Sequence, residues 1–143
     1  MYRLLAIAAL LVLPGLGTAA SAETPEAVQT IKLAAGPAYS SHTSGGTVSC
    51  RVFNNGDTSA TIAQRKIFTN TNSAVTLSSD TCNVALAANK QCAYTAAVPG
   101  NFAFTCAIVV KSTAVAITGS MDIISSVANG QNLLISTPFL PGK

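Results

Sequence analysis

The sequence predicts an all-β fold, a sandwich of about seven to eight short antiparallel strands, on three observations. Apolar and polar residues alternate through residues 48–53 and again through 102–108. Turn-forming Asn, Gly, Pro and Asp recur between such runs, and no stretch carries a sustained helical period. All four cysteines fall in the span from Cys50 to Cys106, two of them on the alternating runs.

Those cysteines organise the rest. Val48, Cys50 and Val52 share one face while Ser49 and Arg51 take the other, the period of two that marks a half-buried strand. Phe102, Phe104, Cys106 and Ile108 likewise share a face. If Cys50 pairs with Cys106, the bridge joins an early strand to a late one across the core, as in immunoglobulin-type sandwiches. Cys82 and Cys92 then close a short loop around residues 86–90. Four cysteines allow three pairings, and spacing alone does not choose among them. The nested pairing is favoured because it needs one long-range bridge, and chain entropy assigns roughly 4 kcal/mol to the long loop and roughly 3 kcal/mol to the short one. The fold class expected is therefore an immunoglobulin-like antiparallel β-sandwich with two disulfides. A metal or redox role for the cysteines is the competing reading. No two are spaced C-x-x-C and His42 is the sole histidine, so neither a zinc cluster nor a thioredoxin-like motif is present. No metal and no cofactor are expected.

The chain begins with one positive charge, Arg3, before an apolar run ended by Pro14 and Gly15, and then Ala20-Ser21-Ala22. This is the pattern of a secretory signal peptide over residues 1–22, with cleavage after Ala22. The run is shorter than the roughly 20 residues a membrane span needs, so no stable membrane insertion is expected after cleavage. Export to a secreted or periplasmic location suits the cysteines, since disulfides persist there. The remaining residues 23–143 make one domain. The net charge of +3 includes Arg3, which leaves the exported chain barely basic. Its cations, Lys32, Arg51, Arg65, Lys66, Lys90, Lys111 and Lys143, are scattered along the chain. No basic stripe suited to a phosphate backbone is visible, and nucleic acid is not an expected partner.

Taken in order, Thr24-Pro25-Glu26 has the chemistry of a helix start, but Gln29-Thr30-Ile31-Lys32-Leu33 alternates as a strand, and a first edge strand is preferred. Residues 34–46, rich in Gly, Pro, Ser and Thr, read as a loop. Asn54-Asn55-Gly56-Asp57 signals a hairpin leading into residues 59–68. There the apolar spacing slips between Ile62 and Ile67, the mark of a β-bulge. Asn70-Thr71-Asn72-Ser73 is a turn and Ala74-Val75-Thr76-Leu77 a short strand. Residues 92–98 alternate again, and Pro99-Gly100-Asn101 turns them into the second cysteine strand. Lys111-Ser112-Thr113 separates apolar runs at hairpin distance. Residues 114–124 form a long strand in which Gly119 suggests a bend or bulge. Asn129-Gly130 is another hairpin signal before Leu133-Leu134-Ile135-Ser136, and Pro138 stops that strand or confines it to an edge.

Chemistry is sparse. His42 sits in the loop, where a lone histidine is usually a solvated residue. Its partners in a hydrolase would be a serine and a carboxylate. The acids after the leader are Glu23, Glu26, Asp57, Asp80 and Asp122, and no serine lies in a nucleophile-elbow motif. No catalytic residue is assigned and no enzyme is expected. The candidate contact loops are 34–46, with Tyr39 and His42, and the cysteine loop, with Leu86 and Lys90.

Val52-Phe53-Asn54-Asn55-Gly56, followed by Cys82-Asn83-Val84-Ala85-Leu86, then Cys92 and Pro99, resembles the immunoglobulin-like ASPM-SPD-2-Hydin type of domain of bacterial secreted proteins. The resemblance covers about half of the exported chain. It implies a seven-stranded sandwich without enzyme activity and carries over no site residues. Asn89 stands where such segments usually have glycine, and a core bridge from Cys50 to Cys106 is not general among them.

The function expected is a non-catalytic secreted or periplasmic module that binds an envelope protein or glycan through loops or a sheet face. The alternative is a structural subunit of a pilus-like or surface assembly, joined by strand addition at an edge such as residues 133–135. A hydrolase using His42 ranks last.

Overall fold

The computed structural model describes residues 26–40, 45–98, 100, 102–113, 116–127 and 130–141. The leader and its cleavage point, Thr24-Pro25, His42, Pro99, Asn101 and Asn129 lie outside them. The described chain is built from β1 (Gln29–Tyr39), β2 (Gly46–Asn54), β3 (Thr61–Thr69), β4 (Ser79–Asp80), β5 (Gln91–Val98), β6 (Ala103–Ser112), β7 (Ile117–Val127), β8 (Gly130–Pro138) and β9 (Leu140–Pro141). They form two antiparallel sheets, a four-stranded one in the order β3-β6-β1-β9 and a five-stranded one in the order β4-β5-β2-β7-β8.

Alternation decides the core. Along β6 every second residue, Phe104, Cys106, Ile108 and Val110, is buried. Val48, Cys50 and Val52 on β2, Tyr94, Ala96 and Val98 on β5, and Met121 and Ile123 on β7 meet them from the other sheet. Cys50 of β2 is bonded to Cys106 of β6 with their Cα atoms 6.0 Å apart, so this bridge ties one sheet to the other. Cys82 is bonded to Cys92 within the β4–β5 region, Cα atoms 5.1 Å apart. Tyr94 adds a polar tie, its hydroxyl donating across the interior to the Ala107 carbonyl at 3.1 Å. At one flank Arg65 of β3 reaches Asp80 of β4 in an ion pair. At the other, the chain leaves β8 and crosses to pair β9 with Leu33 and Ala34 of β1.

Several local expectations are corrected. β1 continues through Gly36-Pro37 to Tyr39, so residues 34–39 are strand and not loop. The Gly-Pro step shifts the register between Ala35 and Ala38 without ending the pairing with β6, because a proline lacking its N–H is tolerated at a bulge. Gly36 has φ +107°, and a Cβ there would lie 2.6 Å from the Phe104 carbonyl oxygen, so this step admits glycine alone. Nor is β1 an edge strand, since β6 and β9 flank it.

The Asn54-Asn55-Gly56 turn does not make a hairpin. β2 and β3 belong to different sheets, as do β5 and β6, and β6 and β7. Each of these turns carries the chain across the sandwich. Residues 74–77 are not a strand; Val75 makes one backbone hydrogen bond to Ile67, and the short strand is β4 instead. Gly119 marks no bulge against β2, because the register runs unbroken from Thr47 to Asn54. A Cβ there would stand 2.2 Å from the Arg51 carbonyl oxygen and 2.7 Å from the Phe139 ring. Close approach is thus the reason for that glycine. The slip expected between Ile62 and Ile67 is present as a register shift between Ile62 and Gln64. Pro138 ends β8, which is an edge strand.

Candidate functional site

Among the residues singled out by sequence, all four cysteines are oxidised, so no thiolate is available as nucleophile or ligand. Among the described residues no group of three His, Cys, Asp or Glu side chains converges as a metal site would require. Two of the described carboxylates are engaged in ion pairs, Asp80 with Arg65 and Asp122 with Arg51.

The cysteine loop is anchored more than it is displayed. Leu86 is buried, and its backbone exchanges both hydrogen bonds with Ala60; it cannot offer its side chain to a partner. The large apolar side chain that this loop exposes is Val84, which no sequence signal marked as a contact residue, and Lys90 is exposed as well. Asn89 has φ 56°, the left-handed conformation that asparagine and glycine tolerate best. The anchor is Asn54. It is almost fully buried, its amide donates to the carbonyls of Thr58 at 2.8 Å and Leu86 at 3.0 Å, and its side-chain oxygen accepts from the Gly56 N–H at 3.0 Å. Its backbone pairs with Lys90 and Asn89. A residue read as a turn former is therefore a buried polar hub, satisfied at both ends as burial demands.

A groove of 280 Å³ opens on the outer face of the five-stranded sheet, lined by Arg51, Phe53, Gln91, Thr118 and Ser120 together with strand backbone. Register builds it: Phe53 lies between Gln91 on β5 and Thr118 on β7, and Arg51 between Ala93 and Ser120. Asn55 donates to the Thr118 hydroxyl at 2.9 Å. The Arg51 guanidinium stands 3.3 Å from the Asp122 carboxylate, which also accepts a hydrogen bond from Ser136 at 2.7 Å. The groove thus combines one aromatic side chain with amide and hydroxyl groups and an already neutralised cation. That set can hydrogen-bond hydroxyls and pack against a C–H face. It has no acid and base placed to move a proton.

Of the titratable groups, Tyr94 stands out. Burial, and then the nearby Asp80 carboxylate, hold its pKa well above the ordinary tyrosine range, partly offset by Arg65. It is a neutral structural donor. Tyr39 ends β1 with its side chain exposed. Among the described residues no helix is long and apolar enough to cross a membrane. Compared with protein-family models, with curated proteins and with solved structures, the chain finds no match.

Proposed function

We propose that this chain is an exported, non-catalytic binding module of the cell envelope, built on an immunoglobulin-like sandwich, and that it takes glycan in the groove beside Phe53. The observation that carries the reading is the composition of that groove, an aromatic side chain ringed by Gln91, Thr118 and Ser120, which suits a polyol better than a charged or wholly apolar ligand. Strand order supports the immunoglobulin-like part. The order β4-β5-β2 in one sheet, β3 beside β6 in the other, and a bridge from the second strand to the sixth follow the constant-type arrangement. The first and seventh strands are exchanged relative to it, β1 pairing with β6 and β7 with β2. The ASPM-SPD-2-Hydin type of domain belongs to this proposal, its usual glycine replaced here by Asn89 in a glycine-like conformation. Two disulfides favour a secreted or periplasmic location.

Titrating isotope-labelled protein with peptidoglycan fragments and envelope polysaccharides tests the reading. Amide shifts clustered at Phe53, Gln91 and Thr118, and lost in a folded Phe53→Ala variant, are expected. Silence of these amides toward every glycan would remove the glycan assignment.

A second reading rests on β8, a nine-residue edge strand paired on one side by β7. Such an edge accepts a strand from a neighbour, which would make the chain a structural subunit. Sedimentation at rising concentration decides it, and a monomer throughout would end that alternative.

A further inference from the structure

We propose that the outer face of the four-stranded sheet docks the protein on an anionic lipid surface. Register places Lys66 on β3 opposite Ala107, Lys32 on β1 opposite Val109, and Lys111 on β6 two residues further along. All three are exposed and lie on the side of the sheet away from the buried Cys106, Ile108 and Val110. A strand spacing of about 4.8 Å and a rise of about 3.4 Å per residue put their Cα atoms roughly 8 to 14 Å apart. Among the described residues none of the three has a carboxylate within ion-pair distance, whereas Arg51 and Arg65 are both paired. The fourth lysine in this condition, Lys90, is in the cysteine loop. Scattered positions in sequence thus become one basic face.

The apolar residues of that face choose its partner. Tyr39, opposite Ala103, and Leu140, opposite Ala34, project on the same side and are two of the large apolar side chains that the described chain leaves exposed, 55% and 63% accessible. Half-buried Phe68 and Val109 share that face, Phe68 two residues along β3 from Lys66 and Val109 directly opposite Lys32, with the Lys66 ammonium 6.0 Å from the centre of the Phe68 ring. A hydrated polyanion such as a nucleic acid or an acidic polysaccharide would satisfy the ammonium groups and leave Tyr39 and Leu140 in water. A bilayer surface satisfies both, since lysine stems lie along apolar surface with their heads at the phosphates and tyrosine favours the interface. Apolar contact and attraction to anionic lipid add in peripheral binding. The groove on the other sheet shares no residue with this face, so the two sites stand or fall separately.

The test is co-sedimentation of the exported protein with vesicles of phosphatidylcholine alone or mixed with phosphatidylglycerol. Binding to the mixed vesicles that weakens with salt is expected, falling about fivefold for each of Lys32→Gln, Lys66→Gln and Lys111→Gln. Lys90→Gln removes the same charge from the cysteine loop and should leave binding unchanged, as should Phe53→Ala in the groove. Leu140→Ser should weaken binding without altering its salt dependence. Equal binding to both vesicle types, equal loss in Lys90→Gln, or binding to alginate or DNA without binding to vesicles would each overturn the proposal.

Discussion

On the outer face of the five-stranded sheet a cation, Arg51, meets the carboxylate of Asp122, whose other oxygen is held by Ser136. On the outer face of the four-stranded sheet Lys32, Lys66 and Lys111 meet no carboxylate among the described residues and share their surface with Tyr39 and Leu140. The two faces flank one core, and both arise from the same alternation of inward and outward residues. What separates them is where the few acids fall. Charged side chains make up 9% of the sequence, so one aspartate suffices to neutralise one face, and its absence leaves the other positive. In a chain so poor in charge, each ion pair is also a decision about which surface carries net charge.

The two faces stay fixed back to back through the bridge between their sheets, and cutting that bridge should have the largest effect. Replacing Cys50 and Cys106 together, as Cys50→Ala with Cys106→Val, should cost about 4 kcal/mol in urea unfolding, against about 3 kcal/mol for the Cys82–Cys92 pair. An order reversed between the two would mean that the local loop, and not the inter-sheet bridge, limits stability. Next comes Asn54→Ala, which takes away the donor to the Thr58 carbonyl and the acceptor of the Gly56 N–H and leaves the Leu86 carbonyl its bond from the Ala60 N–H. A loss of about 3 kcal/mol is expected, with faster amide exchange confined to residues 82–90.

Asp122→Asn acts on the charge difference between the two faces. Arg51 is largely exposed, so its ion pair is discounted for solvent screening, and the loss should be about 1 kcal/mol. The informative result is the second one: with Arg51 no longer neutralised, the five-stranded face should become net positive, and the asymmetry between the faces should shrink in vesicle binding. Tyr94→Phe removes the polar tie between the sheets and should cost about 1 kcal/mol at neutral pH. In the native protein the raised pKa of Tyr94 means that the unfolded chain loses this proton near pH 10 while the folded chain keeps it. Its contribution is therefore complete below about pH 10 and is lost as pH rises beyond that. Tyr94→Phe should flatten this part of the alkaline limb. The last effect is a gain: Thr137 buries its hydroxyl without a partner among the described residues, and Thr137→Val should add at most about 1 kcal/mol.

Much of the local structure was legible. The alternation in residues 48–53, 92–98 and 102–108 located β2, β5 and β6 because one face of each is buried and the other is not. The slip near Ile62 located a real irregularity for the same reason, since an added residue inverts the inward set. β1 was half hidden. Gly36 and Pro37 ordinarily end a strand, and here the neighbouring β6 holds the segment in register around them. The groove beside Phe53 was not legible, since Phe53, Gln91 and Thr118 are up to 65 positions apart and meet through register alone.

By itself the sequence determined which residues face inward, where disulfide chemistry sits, and that groups for acid–base catalysis are few, because each follows from composition or from a period of two along a few neighbouring residues. Tertiary structure alone decided that the turns after β2, β5 and β6 cross between sheets, that Asn54 is a buried hub, and that three distant lysines gather on one face. The physical reason is that strand pairing is a contact between distant segments. Alternation says which way a side chain points, and the partner strand decides what it points beside.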